Sequence, residues 1–251
     1  VSKELDVPYI PTPQIVVDRM LDMAAVDSGD YLIDLGSGDG RIVISAALRG
    51  AKGHGVDLDP ERVREAEENA RRAKVRDRVI FLEENIFETD FRGASVVTMY
   101  LLSGLNLRLR PKILDECRPG TRIVSHRFDM GPWRPDAVER VDAHDGLGPR
   151  TIYYWVVPAR VAGTWSWKLA GQTHRMKIEQ QFQRLEVALE SDERQFKVLD
   201  AQLKGSRLSL TFESGLARFI FFGFVEGDSI EGTVQIRDRA MQRVEPWTAT
   251  R

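Results

Sequence analysis

Three glycines in one short segment constrain the fold of this 251-residue chain more than any other feature. Residues 34–41 read Asp-Leu-Gly-Ser-Gly-Asp-Gly-Arg and lie between a short apolar run and a helical pattern. Glycine lacks a Cβ and adopts positive φ, so a ligand can approach the backbone closely, and the helix that follows presents free N–H groups there. A strand, a glycine turn and a helix in this order predict a binding site of the dinucleotide type.

An acid at the end of the next predicted strand completes this pattern. Asp57 follows Gly36 by about 20 residues, at the carboxyl end of a strand over residues 53–58. Its carboxylate can accept hydrogen bonds from both hydroxyls of a ribose. The acid therefore predicts a ligand that contains a nucleoside.

Spacing and charge favour S-adenosylmethionine (SAM) over a nicotinamide dinucleotide. Arg41 stands where the third glycine of G-x-G-x-x-G would fall. Asp34 precedes the turn and Asp39 adds a second negative charge, which would repel a pyrophosphate and suit a cationic amino-acid end. Two alternatives stay open: an NAD(P)-dependent oxidoreductase, and a non-catalytic protein that binds SAM or another ligand and acts through its second domain.

Strands and helices alternate up to about residue 158. Thr12 with Pro13 is typical of a helix start, as is Asp59 with Pro60. Further helices are predicted over residues 41–49 and 107–117, and strands over residues 31–35, 53–58, 79–82, 94–100, 122–128 and 151–157. The α/β alternation predicts a doubly wound, mostly parallel, seven-stranded Rossmann-like sheet, with an antiparallel, hairpin-like end where no helix separates the last strands.

The pattern changes near Pro158. Alternating apolar runs separated by turn residues follow, over residues 176–182, 185–189, 196–199, 208–212, 218–225 and 230–236. Such spacing predicts a small all-β antiparallel barrel or sandwich. Gly163-Thr164-Trp165 resembles the start of lipocalin-like barrels. We therefore expect two domains, residues 1–158 and 159–251. One possible role of the second domain is to form a homodimer.

The glycine turn also resembles motif I of class I SAM-dependent methyltransferases. Residues 34–41 with the following Ile-Val-Ile carry this resemblance. More narrowly, residues 7–157 resemble the lysine methyltransferases of ATP synthase subunit c and the adenine nucleotide translocase. The supporting stretches are Val-Pro-Tyr-Ile-Pro-Thr at 7–12, Gly-Val-Asp-Leu-Asp-Pro at 55–60, Arg-Phe at 127–128 and Trp-Arg-Pro-Asp at 133–136. The resemblance implies methyl transfer from SAM to a protein lysine or another amine.

The resemblance also implies roles for individual residues. Gly36 and Gly38 line the methionine part of SAM, and Asp34 lies near its amino group. Asp57 holds the ribose. The other residues implied in the cofactor site are Tyr9 and Thr12, which close over the methionine end, Asn85 at the adenine amine, Ile86 against the adenine ring, and Ser37 and Leu58.

Tyr100 is the candidate catalytic residue, because it ends the fourth predicted strand. Many amino-group methyltransferases carry an Asn/Asp-Pro-Pro-aromatic motif there, whereas this chain has Thr-Met-Tyr-Leu at residues 98–101. Tyr100 is expected to form an aromatic wall for a cationic nitrogen. His126, on the next strand, is more simply a structural or solvent-facing residue than a base.

Charge and composition restrict the partners. The formal net charge is −2, which gives no basic field for non-specific nucleic-acid binding, so no nucleic-acid partner is expected. The single cysteine, Cys117, allows no internal disulfide, and no Cys/His metal site can be assembled from it. The apolar runs are too short to span a membrane. Because SAM is an intracellular metabolite, a cytoplasmic location is expected.

Overall fold

The computed structural model describes residues 10–190, 196–239 and 241–251. The chain divides into two compact units between Val156 and Val157. Among the described residues, no helix has both the length and the apolar character needed to span a membrane.

The first unit is built on a seven-stranded sheet with the order β3-β2-β1-β4-β5-β7-β6. The pairs among β1 to β5 are parallel, and β7 pairs antiparallel with both β5 and β6. Its elements are α1 (Gln14–Met23), β1 (Tyr31–Leu35), α2 (Arg41–Leu48), β2 (Lys52–Asp57), α3 (Pro60–Arg72), β3 (Val79–Glu83), β4 (Val96–Met99), α4 (Ser103–Glu116), β5 (Arg122–His126), β6 (Ala137–Val141) and β7 (Arg150–Val156).

Burial on both faces explains why the central strands are mostly apolar, with Asp34 in β1 and Thr98 in β4 as buried polar exceptions. Every residue of β4 is buried, as are the last four of β1. At α3, Pro60 occupies the first turn and the Asp59 side chain accepts the Glu61 N–H at 2.8 Å, as the sequence predicts. The doubly wound α/β class predicted from the sequence is confirmed.

Three local predictions for the first unit were wrong. Pro13, not Thr12, is the N-cap of α1, and no side chain caps that helix. Helix α4 begins at Ser103 rather than near Leu107, because its Gly104 and Pro111 obscure the helical pattern. The edge strand β6 was not predicted, since its mostly exposed residues carry no apolar run.

The second unit is an eight-stranded antiparallel sheet with the order β10-β9-β8-β15-β14-β13-β12-β11. Strands β10 and β11 also approach each other, so the sheet nearly closes into a barrel. The strands are β8 (Gly163–Leu169), β9 (Gln172–Gln181), β10 (Arg184–Glu190), β11 (Lys197–Lys204), β12 (Arg207–Ser214), β13 (Ala217–Glu226), β14 (Ser229–Arg237) and β15 (Gln242–Thr250).

Aromatic side chains fill the core of the second unit. Trp165, Trp167, Phe212, Phe221 and Trp247 are all buried there. The predicted all-β barrel is confirmed, but β8 and β15 were not predicted as strands. Strand β15 contains a proline and is mostly exposed, which removes the alternation that marks the other strands.

Candidate active site

A cavity of about 380 Å³ opens at the carboxyl edge of the first unit's sheet. Ligands bind at this edge in open α/β sheets because the connecting loops and helix N-termini converge there. The predicted site residues that line the cavity are Thr12, Asp34, Gly36, Ser37, Asp57, Leu58, Asn85, Ile86 and Tyr100. Gly38 is not among the lining residues, and Tyr9 lies outside the described residues.

The glycine turn is fixed to the neighbouring strand. The N–H groups of Gly36 and Ser37 both donate to the Val56 carbonyl at 2.9 Å. Gly36 and Gly38 have φ of +73° and +51°, which explains why glycine is used at these positions. The Ser37 hydroxyl is buried in the cavity wall without a hydrogen-bond partner among the described residues. The turn therefore holds a polar group ready for a ligand.

Asp57 is oriented by two backbone N–H groups. Its Oδ2 accepts from Gly38 at 2.9 Å and its Oδ1 accepts from Asp59 at 3.0 Å. Gly38 thus acts on the site through Asp57 rather than as part of the cavity wall. Each carboxylate oxygen can accept more than one hydrogen bond, so the half-buried carboxylate still has capacity for a diol.

Asp34 is an almost fully buried acid at the end of β1. Its Oδ1 accepts from the Thr98 hydroxyl at 2.7 Å. Burial raises the pKa of this carboxyl, and the nearby charges of Asp57 and Asp39 add to the rise against the opposing Thr98 hydrogen bond, so that the pKa is about 7. A cationic ligand group beside Asp34 would stabilise its charged form.

The charge of Asp39 is compensated, contrary to the sequence argument. Arg41 Nη2 lies 2.6 Å from Asp39 Oδ2, and Arg41 Nη1 donates to the Thr12 carbonyl at 2.9 Å. Arg41 therefore neutralises Asp39 and attaches the segment before α1 to the glycine turn. The preference for a cationic ligand end rests on Asp34 instead.

An aromatic cluster forms another wall of the cavity. The Tyr100 ring lies 4.0 Å from the His126 ring and 6.2 Å from the Phe128 ring, measured between centroids. Thr12 Oγ1 is 3.1 Å from Nδ1 of His126. His126 is fully buried, and this burial together with the charges of Arg150 and Arg127 lowers its pKa to about 4, so the ring is neutral near pH 7. His126 supports the wall and does not line the cavity.

Asn85 and Ile86 lie where β3 ends. Asn85 Oδ1 accepts the Phe87 N–H at 3.1 Å, which fixes the amide beside the cavity and leaves its oxygen further acceptor capacity. Ile86 is buried in the wall. Next to them, the Arg108 guanidinium lies 4.1 Å from the Phe87 ring centroid.

Several lining residues were not predicted. They are Ile10, Pro11, Asp39, Arg41, Ile42, Asp59, Arg62, Phe87, Leu101, Leu102, Leu105, Arg108, Arg127 and Phe128. Arg127 and Phe128 form one of the stretches that carry the family resemblance, yet no role was inferred for them. Both residues directly follow β5, which ends at the same edge of the sheet as the cavity. This position was the sequence signal that could have assigned them to the site.

The fold and the site together define a class I SAM-dependent methyltransferase. Comparisons with known proteins specify the family. The family model described as the ANTKMT methyltransferase domain matches residues 34–137. A protein-lysine N-methyltransferase of Saccharolobus islandicus is 45% identical over 153 residues, which is 60% of this chain and 94% of that protein. The adenine nucleotide translocase lysine N-methyltransferase of Mus musculus is 34% identical over 59% of this chain and 68% of that protein.

A solved structure supports the assignment to the SAM-dependent methyltransferases. An RNA methyltransferase from Salinibacter ruber, in complex with S-adenosyl-L-homocysteine, is 49% identical with a TM-score of 0.56, over 61% of this chain and 96% of that one. The chain belongs to the ANTKMT-type methyltransferase family. It is a SAM-dependent enzyme, so the oxidoreductase alternative is set aside.

Proposed function

We propose that this chain transfers the methyl group of SAM to the ε-amino group of a lysine in another protein. The observation that carries the proposal is a single cavity with an acidic glycine turn on one wall and the Tyr100 cluster on another. The names of the Saccharolobus and mouse relatives support a protein lysine as the acceptor.

The residues at the glycine turn fit SAM. We propose that Asp34 pairs with its ammonium group, because Asp34 is buried and carries one side-chain hydrogen bond from the protein. Asp57 accepts from the ribose hydroxyls, and the Ser37 hydroxyl binds the methionine end with Gly36 and Thr12. Asn85, Ile86 and Leu58 contact the adenine. Gly38 holds Asp57 in place. Tyr9 would close over the methionine end of SAM, as the resemblance implies.

The remaining wall would position the acceptor. When bound, SAM supplies a methyl group on a sulfonium, and an amine attacks it in line. The chain's contribution is alignment and exclusion of water, which lower the barrier without a covalent enzyme intermediate. Tyr100 and Phe128 would pack against the lysine chain, and the Tyr100 ring would stabilise the cationic nitrogen after transfer.

A methyl-transfer assay tests this function. Wild-type enzyme with radiolabelled SAM should label protein in a cell extract on lysine, and Asp57→Ala should lower SAM affinity by about 10-fold or more. Arg92→Gln, an exposed variant outside the cavity, is the control. A second assay supplies RNA in place of protein, because the similar Salinibacter protein is an RNA methyltransferase. Label in RNA alone would overturn the proposal.

We also propose a cytoplasmic location and a homodimeric assembly. SAM is an intracellular metabolite, which supports the cytoplasm. Phe222 and Phe224 project from the outer face of β13 with 52% and 61% exposure, which supports pairing of two copies through the second unit. Sedimentation should then show a dimer for the wild type and a monomer when both are changed to serine. A monomeric wild type would contradict this assembly.

A further inference from the structure

Arg127 lines the cavity, and its charge has no carboxylate partner among the residues that the structure describes. The cavity is lined by four aspartates and four arginines. Arg41 is paired with Asp39, and Arg62 lies near Asp59 and contacts Glu65. Arg127 is exposed, and no carboxylate of the described residues lies within ion-pair distance of its guanidinium.

The backbone of Arg127 is in a conformation that arginine rarely adopts. Its φ is +71°, and its N–H donates to the Thr151 carbonyl at 2.7 Å. A side chain at such a position costs about 1 kcal/mol that glycine would avoid. An arginine kept here despite this strain points to a use for its side chain.

The position of Arg127 assigns it to the acceptor part of the cavity. It lies between His126 and Phe128, whose rings pack on Tyr100. Arg108, by contrast, lies over Phe87, beside the residues proposed to contact the adenine. The guanidinium of Arg127 is therefore next to the wall that would hold an acceptor lysine, and no carboxylate in the described part of the chain pairs with it.

We propose that Arg127 selects the acceptor by pairing with a carboxylate close to the target lysine, so that the preferred substrate is a lysine in an acidic protein segment. This inference rests on the proposed function and deepens it. Arginine presents a planar fork that fits a carboxylate with two parallel hydrogen bonds. An RNA phosphate is less favoured, because binding RNA needs an extended basic surface and this chain has a net charge of −2.

Peptides with one central lysine test the proposal. One flanking position at a time carries Glu or the neutral isostere Gln, and kcat/KM is measured for each pair. The wild type should prefer Glu at one or more positions by about 3- to 10-fold, the range expected for a partly exposed ion pair. Arg127→Gln should lose the preference, and Arg127→Glu should prefer an arginine at the same position.

Two comparison variants separate Arg127 from general charge effects. Arg108→Gln removes an arginine from the same cavity and should keep the Glu preference, as should Arg92→Gln outside it. If Arg108→Gln abolishes the preference equally, general charge is responsible and the proposal is wrong.

Arg127→Gly separates recognition from a structural role. Glycine relieves the positive φ, so Tm should stay unchanged or rise by up to about 3 °C while the Glu preference is lost. A fall in Tm with the Glu preference retained would assign Arg127 to the fold and overturn the inference. Equal methylation of Glu and Gln peptides by the wild type would overturn it and leave the proposed function standing, whereas methylation of RNA alone would overturn the proposed function.

Discussion

Asp34 binds a proton in the folded chain over a pH range in which the unfolded chain has lost it. Its pKa rises from the ordinary 3.8 to about 7 because the carboxyl is buried. Between those pH values the folded state binds more protons than the unfolded state, so the stability falls as pH rises through this window. Above pH 7 the folded chain contains a buried negative charge, which a cationic ligand would offset.

Asp34→Asn should therefore stabilise the protein at pH 8 and weaken its binding of SAM. Asparagine keeps an oxygen that accepts the Thr98 hydroxyl and removes the charge. The gain in the free energy of unfolding should be at most a few kcal/mol at pH 8 and close to zero near pH 4. Thermal unfolding at both pH values and calorimetry with SAM measure the two effects. A gain of equal size at both pH values would contradict this explanation.

Asp34 and Asp57 could be predicted from the sequence together with their roles, whereas the role of Arg127 could not. The carboxyl ends of neighbouring parallel strands meet at one sheet edge, so an acid at each strand end predicts a shared site. Arg127 also follows a strand end, but its backbone conformation and its lack of an ion pair among the described residues, on which its role depends, are visible only in the fold. The pairing of Arg41 with Asp39 was likewise missed, since spacing along the chain does not show which charges compensate each other.

At the level of the elements, Gly40 fixes how closely α2 approaches its neighbours. It is the N-cap of α2, with φ of +78°, and a Cβ there would lie 2.6 Å from Phe81 Cζ and 2.8 Å from Ala66 Cβ. The third glycine of the turn therefore serves packing between α2, β3 and α3. A ligand has no part in this requirement.

Gly40→Ala should cost clearly more stability than a glycine change that adds strain alone. Gly120 also has positive φ, +97°, but a Cβ there meets no atom within 4 Å. We expect about 1 kcal/mol for Gly120→Ala and about 2–4 kcal/mol for Gly40→Ala, because the second adds overpacking. Urea unfolding of both variants gives the comparison. Equal losses would show that the contacts with Phe81 and Ala66 are relieved easily.

The contact between Thr12 and His126 joins the segment before α1 to the end of β5. The burial of His126 lowers its pKa from 6.5 to about 4. Below pH 6.5 the unfolded chain binds a proton that the folded chain does not, so the stability is lost as pH falls from about 6.5 to 4.

His126→Asn should reduce this loss of stability in acid. Asparagine can still bond to the Thr12 hydroxyl and does not titrate. The fall in the free energy of unfolding between pH 6.5 and 4 should shrink by up to about 3 kcal/mol, whatever constant cost the smaller side chain adds. His144→Asn, at a side chain that is 77% exposed, is the control and should leave the pH profile unchanged. A profile for His126→Asn identical to that of the wild type would exclude His126 as the cause.

At the level of the whole molecule, the sequence predicted both classes of architecture because the two units use different periodicities. Alternating strand and helix patterns specify a parallel sheet, and alternating apolar residues specify antiparallel strands. Of the three strands that were missed, β6 and β15 are largely exposed, so their sequences carry little of the apolar pattern that burial produces, and β8 is the third. Strand order and near-closure of the barrel depend on long-range pairing that no local pattern carries.

We propose that the two units are separate domains with a boundary near residue 158, and that the first suffices for binding SAM. Every described residue lining the cavity lies between Ile10 and Phe128, and the Saccharolobus relative is covered to 94% by its match of 153 residues. A chain ending at residue 158 should bind SAM with a Kd within about threefold of the full chain, since no cavity group is removed. Calorimetry on both chains, with circular dichroism to establish folding, makes the comparison. A folded, truncated chain that no longer binds SAM would show that the second unit contributes to the cofactor site.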